Sequence, residues 1–377
     1  MIEKRGRFGA TETVSSHGAT ADSSDRRPVI CTIQHPAHVH FFRNAIEELE
    51  TRGYPVHVFV REKGIVPKLL DIYDVEHQRL AGDANSLPAL AREQVKYEYG
   101  LFKRVRKLDP AVLLAIAEPA IAHASTVFDC QSVLFTDTEH ATLQNVLAFP
   151  FSDVICTPEP YWEDLGEKQV RYGGYHELAY LHPNRFSPDP AILDRIGVSE
   201  RDRLVVVRLV SWTAAHDVGK TGIEDVETIV DRLERFGATV VISSERPLPP
   251  SLEARRIDLP PDRIHDVLAY ADLFVGESGT MTLESALLGT PAMYVSPLYA
   301  GVLEELEERY GLVFSHQDGP SRETVLEQAR ALLRTDPSVW RRRRQAVLED
   351  KVDTTAFVVR TVAELTDGRP LEEVTAP

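Results

Sequence analysis

Short apolar runs recur along the chain, separated by stretches with a helical period. Residues 29–33, Val-Ile-Cys-Thr-Ile, form the first run and predict a buried strand. A helix is expected at about 41–52, a strand at 56–60 and a long helix at about 87–107. Strands are expected at 112–116, 132–135 and 153–156, alternating with helical stretches. Apolar strands alternating with helices read as a parallel sheet covered on both faces. Residues 173–190, GGYHELAYLHPNRFSPDP, are rich in Gly and Pro and read as an interdomain linker. The pattern then restarts, with strands expected at 203–210, 238–242, 272–275 and 292–295. Helices are expected at 222–235, 262–270 and 280–288, and helices fill most of the rest, ending near 353–365.

The expected fold is therefore α/β, with two doubly wound, Rossmann-like domains facing a cleft. The expected division is a disordered polar tail at 1–27, a first domain at 28–172, the linker at 173–190 and a second domain at 191–350. Residues 351–377 are expected to form a helix that packs back on the first domain, then a tail. In such sheets ligands sit at the carboxyl ends of the strands, and two facing domains place the site between them.

Composition narrows the function classes. No apolar run reaches the length of a membrane span and the N-terminus does not read as a signal peptide, so a cytoplasmic protein is expected. Cys31, Cys130 and Cys156 lack paired spacing and read as small hydrophobes. The formal net charge is −16, and the basic residues are 33 Arg against nine Lys. That balance resembles proteins of a high-salt cytoplasm and argues against nucleic acid as a partner. The exception is WRRRRQ, where Arg341, Arg342, Arg343 and Arg344 on a helix point in all directions. They read as a solvated helix facing acidic neighbours, or as a docking patch for anionic lipid headgroups at the inner membrane face.

The chemistry concentrates at strand ends. In ESGTMTLESALLGTPAM, 277–293, an apolar strand runs into a Ser278-Gly279-Thr280 turn and then a helix. This is an anion cradle: Gly279 permits close backbone approach, and free helix N–H groups favour a phosphate. Glu284, one turn into the helix, is better placed for two ribose hydroxyls. HPAHVH carries His35, His38 and His40 on a loop after the first strand. Acid/base chemistry, a metal site and plain capping with packing are the three readings. FTDTEHA brings Asp137, Glu139 and His140 to another strand end, as acceptor ligands, as a base or as a helix cap. SWTAAHDVGKTG offers His216, Asp217 and Lys220, but the earlier glycine that a P-loop needs falls on Ala214. HELAYLH, with His176 and His182, has the wrong spacing for a zinc helix.

These strings, in this order, resemble the glycosyltransferase-B superfamily. That superfamily includes the enzyme adding N-acetylglucosamine to the peptidoglycan lipid intermediate and the non-hydrolysing UDP-N-acetylglucosamine 2-epimerase. More narrowly, the chain resembles a mainly archaeal domain-of-unknown-function family within it. The resemblance covers about 28–365, through HPAHVHFFRNAIEELETRGYPVHVFVREK, FTDTEHA, GGYHELAYLHPNRFSPDP, RLVSWTAAHDVGKTG and ESGTMTLESALLGTP. It implies that the second domain binds a nucleotide sugar. Ser278, Gly279 and Thr280 would take the diphosphate, Glu284 the ribose, and the backbone around Ile264, between Arg263 and His265, the base. Arg208, His216 and Asp217 complete the implied donor site. Glu277-Ser278-Gly279 stands where the superfamily has a richer Gly-Gly turn. In the first domain His38 matches the place of a catalytic His, flanked by His35 and His40.

The implied activity is a metal-independent, inverting transfer of sugar from a UDP-sugar to a glycan or lipid-linked acceptor. The base would be His38 or an acid of the Asp137/Glu139 pair. A 2-epimerase using Asp137, Glu139 and His216 is the alternative enzyme. A non-catalytic nucleotide-sugar sensor is the third reading.

Overall fold

The computed structural model describes residues 26–62, 64–82, 87–211, 223, 225–317 and 321–374. Nearly all of the expected N-terminal tail lies outside these residues, as do His216, Asp217 and Lys220. The first half of the chain runs β1 (Val29–Ile33), α1 (Pro36–Thr51), β2 (Val56–Arg61), α2 (Val66–Ile72), β3 (His77–Ala81) and α3 (Leu87–Leu108). It continues with β4 (Val112–Ile116), α4 (Pro119–Ser125), β5 (Gln131–Phe135), α5 (Thr142–Ala148), β6 (Val154–Pro158) and β7 (Gln169–Tyr172). These strands form a seven-stranded parallel sheet in the order β3-β2-β1-β4-β5-β6-β7.

Next come α6 (Leu178–Leu181), α7 (Ala191–Arg195), β8 (Arg203–Leu209), α8 (Val226–Arg235), β9 (Ala238–Ser244), α9 (Ile264–Ala269) and β10 (Leu273–Gly276). Then follow α10 (Gly279–Leu288), β11 (Ala292–Val295), α11 (Gly301–Glu308) and β12 (Val313–His316). The second sheet has five parallel strands in the order β12-β11-β10-β8-β9. The chain closes with α12 (Arg322–Arg334), α13 (Pro337–Asp350) and α14 (Thr354–Thr366). α14 lies against α1, and its Phe357 stacks on Tyr172 with ring centroids 4.6 Å apart.

Strand order reverses between β1 and β4 in one sheet, and between β8 and β10 in the other. Loops leaving the carboxyl ends of such a strand pair splay to opposite faces and open a crevice. The junction of β1 with α1 carries His35 and His38, that of β4 with α4 carries Glu118, and the turn after β10 carries Ser278.

Three sequence expectations need correction. The helix expected from 41 begins at Pro36, with His35 as N-cap accepting from Ala37 N through Nδ1 at 3.2 Å. The histidines are therefore not on a loop. On a helix His38 and His40 project about 200° apart, so the three rings cannot converge on one ion. Second, the expected linker is core. Tyr175, Leu178, Ala179, Tyr180 and Leu181 are buried, and Thr354 and Thr355 hydroxyls donate to Tyr175 O and Ala179 O, both at 2.7 Å. A single helical turn covered on several sides has no period to read. Third, the arginines of α13 face acidic groups only in part: Arg341 and Arg342 lie near Asp336, whereas Arg343 and Arg344 turn to backbone carbonyls. Arg343 Nη1 donates to Gly311 O at 2.5 Å and Arg344 Nε to Leu287 O at 2.9 Å. They cap carbonyls, the role basic side chains take at helix C-termini. Cys31 and Cys156 are buried, Cys130 is half-buried, and all three are free thiols. Among the described residues no helix is long and apolar enough to cross a membrane.

Candidate functional site

At the second switch point the anion cradle is built as a helix cap. Ser278 Oγ accepts from Met281 N at 3.3 Å, and Ser278, Gly279 and Thr280 are half-exposed. The N–H groups of the first turn of the ten-residue α10 therefore open outward, where the dipole favours an anion. Glu277 does not compete for that anion, because its carboxylate is buried and turned away. It accepts from Val210 N at 2.7 Å and Ile223 N at 2.5 Å, so one side chain ties these two residues together. Arg208 donates to Ser243 Oγ at 2.8 Å and to Glu245, which fixes it at the carboxyl end of β8. Ile264 opens α9 half-buried.

Glu284 is placed differently from the expectation. Its carboxylate is buried, accepts from Tyr180 OH at 2.7 Å and lies 2.9 Å from His265 Nε2. It faces the N-terminal half rather than open solvent. His40 completes this cluster, its ring 4.8 Å from that of His265 and 5.2 Å from that of Tyr180. Burial, then the neighbouring His265, pushes the His40 pKa well down, so His40 is a neutral imidazole here. Both contacts fall on Oε1, so ribose binding through that oxygen requires that Tyr180 or His265 release it, while Oε2 is engaged by neither.

Asp137 is paired as well. Its Oδ1 accepts from Thr138 Oγ1 at 2.8 Å and its Oδ2 lies 3.2 Å from His176 Nδ1. Beside them stands Glu177, buried, with Oε2 unpartnered among the described residues. Burial first, then the Asp137 and Glu284 charges, hold Glu177 well above the usual carboxylate range. Glu139 faces the other half of the molecule. Its Oε1 accepts from Trp162 N at 3.1 Å and from Gly301 N, the first residue of α11, at 3.2 Å. Through Oε1 it is a latch between the two halves, while Oε2 is buried and unpartnered among the described residues.

At the first switch point His35 and His38 share a cavity of about 580 Å³ with Glu118, Thr136 and Thr138. The His35 and His38 rings are 5.7 Å apart. Glu118 is buried, accepts from Thr32 Oγ1 with one oxygen, and has the other unpartnered among the described residues. Burial pushes its carboxyl up to about 7, against the pull of the Thr32 hydrogen bond. The preceding Ala117 has φ of +42°, a left-handed conformation that costs a non-glycine residue about 1–2 kcal/mol. Glu118 was missed in the sequence. The available signal was its place directly after an apolar strand, the same position that drew attention to Asp137 and Glu139. Among the described residues no group of three His, Cys, Asp or Glu side chains is arranged to hold a metal ion.

Known proteins resemble this chain at two levels. An uncharacterized protein of Methanocaldococcus jannaschii is 23% identical over 273 residues, covering 69% of this chain and 79% of that protein. The UDP-GlcNAc 2-epimerase of Neisseria meningitidis bound to UDP-GlcNAc superposes with a TM-score of 0.65 at 11% identity, over 89% of this chain and all of the other. The glycosyltransferase SnogD of Streptomyces nogalater superposes at 0.59 with 14% identity, over 90% and 99%. The two parallel sheets and their helices are thus the glycosyltransferase-B fold shared by these enzymes. The sequence over residues 29–310 matches the protein family of unknown function DUF354, and the chain belongs to that family.

Proposed function

We propose that this protein transfers a sugar from a nucleotide-sugar donor to an acceptor hydroxyl. The observation that carries the reading is the pair of switch-point sites: an open anion cradle on one sheet, and on the other a separate 580 Å³ cavity holding Glu118 and His38. The donor diphosphate rests on the N–H groups of Gly279 and Thr280. The acceptor occupies the Glu118 cavity. Glu118, with a carboxyl near 7, is part ionised at neutral pH and suited to act as base. It takes the acceptor O–H proton while that oxygen attacks the anomeric carbon. The bond from that carbon to the diphosphate breaks and the diphosphate leaves with the electron pair, stabilised by the helix N-terminus. One displacement inverts the anomeric centre. His38, on the cavity wall, orients the acceptor hydroxyl. UDP is the first nucleotide to test, since the Neisseria structure holds UDP-GlcNAc.

A 2-epimerase is the second reading. The buried Asp137–His176 pair beside Glu177 favours it, because proton abstraction and elimination need an acid and a base but no acceptor. Incubation with UDP-sugars, followed by NMR of the sugar, separates the two. Release of UDP only when a glycan or lipid-linked acceptor is present supports transfer. An altered sugar without acceptor supports epimerisation, and binding without turnover leaves a sensor. In the transferase reading Glu118→Gln lowers kcat by about 10²–10⁴-fold with donor affinity kept, and His38→Ala lowers it less.

A further inference from the structure

The opposite edge of the second sheet holds a cavity that the proposed reaction does not use. It measures 560 Å³ and lies at the amino ends of the strands, beside Arg203 at the start of β8 and Pro291 before β11. Four arginines line it, Arg203, Arg334, Arg341 and Arg344, against two aspartates, Asp272 and Asp336. In a chain with a net charge of −16 this is a local excess of positive charge.

The two carboxylates are already engaged. Asp272 Oδ2 accepts from Leu204 N at 2.9 Å and Asp336 Oδ1 from Ser338 N at 2.7 Å. None of the four guanidinium groups forms an ion pair with a carboxylate among the described residues. Arg344 is half-buried with Nε committed to Leu287 O, and Arg203, Arg334 and Arg341 have exposed side chains. Guanidinium forks that outnumber the carboxylates of one cavity and hold none of them in an ion pair match the planar two-point geometry with which arginine takes phosphate oxygens. The cavity volume falls within the range of small-molecule sites.

We propose that this cavity binds a phosphoryl-bearing ligand through Arg334, Arg341 and Arg203, with Arg344 as its floor. The site is distinct from the cradle. Helix α10 has its N-terminus at the cradle and its C-terminal residues Leu288 and Gly289 in this cavity, about 15 Å apart along its axis. The phosphoryl group belongs either to a soluble compound or to a lipid headgroup.

The test is calorimetric titration of the full chain with inorganic pyrophosphate at low ionic strength. The cradle is silenced by Ser278→Asp, which keeps a capping oxygen and puts negative charge where the anion would sit. The expected result is one saturable site that survives Ser278→Asp and weakens at least about tenfold when Arg334→Ala and Arg341→Ala are added. In the parent chain the same two arginine substitutions reduce the stoichiometry from two sites to one, which keeps the test independent of how Ser278→Asp folds. Neither arginine side chain makes a hydrogen bond among the described residues, so the melting temperature should hold. Sedimentation with phosphatidylglycerol vesicles forms the second arm. Arginine-dependent vesicle binding without pyrophosphate binding assigns the ligand to a headgroup, and the reverse assigns it to a soluble phosphate. Absence of both, or binding that persists unchanged without Arg334 and Arg341, overturns the proposal.

Discussion

Glu118 carries two opposed costs. Ionised, it is a buried charge with one oxygen unpartnered among the described residues; protonated, it avoids that cost but cannot take a proton from an acceptor. A carboxyl raised to about 7 from an ordinary 4.5 disfavours the folded state once it ionises. The stability this group contributes is fully present below about 4.5 and is lost as pH rises through about 7, a swing of roughly 3 kcal/mol. Glu118→Gln cannot ionise, so it should gain on the parent chain by up to that amount between pH 5 and pH 8. Urea unfolding of both proteins at the two pH values measures the gain. Parallel stabilities would mean that Glu118 is solvated and that its place as base is lost with its raised pKa. The residue was passed over because a lone Glu before Pro reads as an ordinary helix start, even though it follows an apolar strand. Glu284 and His40 were legible as special residues but not in direction. Sequence spacing tells which helix face a side chain occupies, while the neighbour that covers that face, here Tyr180 and His265, is fixed only by tertiary packing.

At the scale of elements, α11 is held tightly against the N-terminal half. A Cβ built on Gly301 would lie 1.9 Å from Pro160 O, which is backbone and cannot rotate away. Around that contact Glu139 accepts from Gly301 N, and Trp162 Nε1 donates to Glu304 Oε2 at 2.7 Å. Gly→Ala in a helix ordinarily gains about 0.5–1 kcal/mol. At Gly301 the clash decides the sign, and Gly301→Ala should destabilise by about 1–3 kcal/mol, as overpacking does. Gly100 in α3 is the matched control, since its Cβ would meet Leu80 no closer than 3.5 Å, ordinary contact. Gly100→Ala should therefore stabilise. Denaturant unfolding followed by Trp fluorescence reads both, and two substitutions shifting the same way would contradict the close approach. The elements themselves were largely legible where strands are central. Those that escaped were α2, α6, α7, β3, β7 and β12, and all three strands are sheet edges. An edge strand such as His77–Ala81 is half polar, so it lacks the unbroken apolar run that marked β1, β4 and β8.

Over the whole molecule the balance of charge opposes compaction. With 58 acidic against 42 basic residues, the folded chain gathers like charges that the unfolded chain keeps apart. Many carboxylates do meet arginines at the surface, as Glu234 meets Arg255 at 2.5 Å and Glu253 meets Arg256 at 2.8 Å. Such exposed pairs contribute about 0–1 kcal/mol each, and salt weakens them too. Two effects of added salt therefore compete: loss of these pairs, and relief of repulsion among the acidic residues left over. The Debye length falls from about 10 Å at 0.1 M to about 3 Å at 1 M. Close pairs at 2.5–3 Å lie at or inside even the shorter length, whereas repulsion between charges spread over the surface acts at longer range and is screened first. Relief of repulsion should win. The melting temperature is thus expected to rise between 0.1 M and molar KCl, with most of the rise at the low end where the screening length changes fastest. KCl is the salt to use, because sulfate would strengthen apolar burial by exclusion and raise stability whatever the charge. A melting temperature flat or falling across the KCl series would mean that the paired surface charges, not the acidic excess, set the electrostatic stability of the fold.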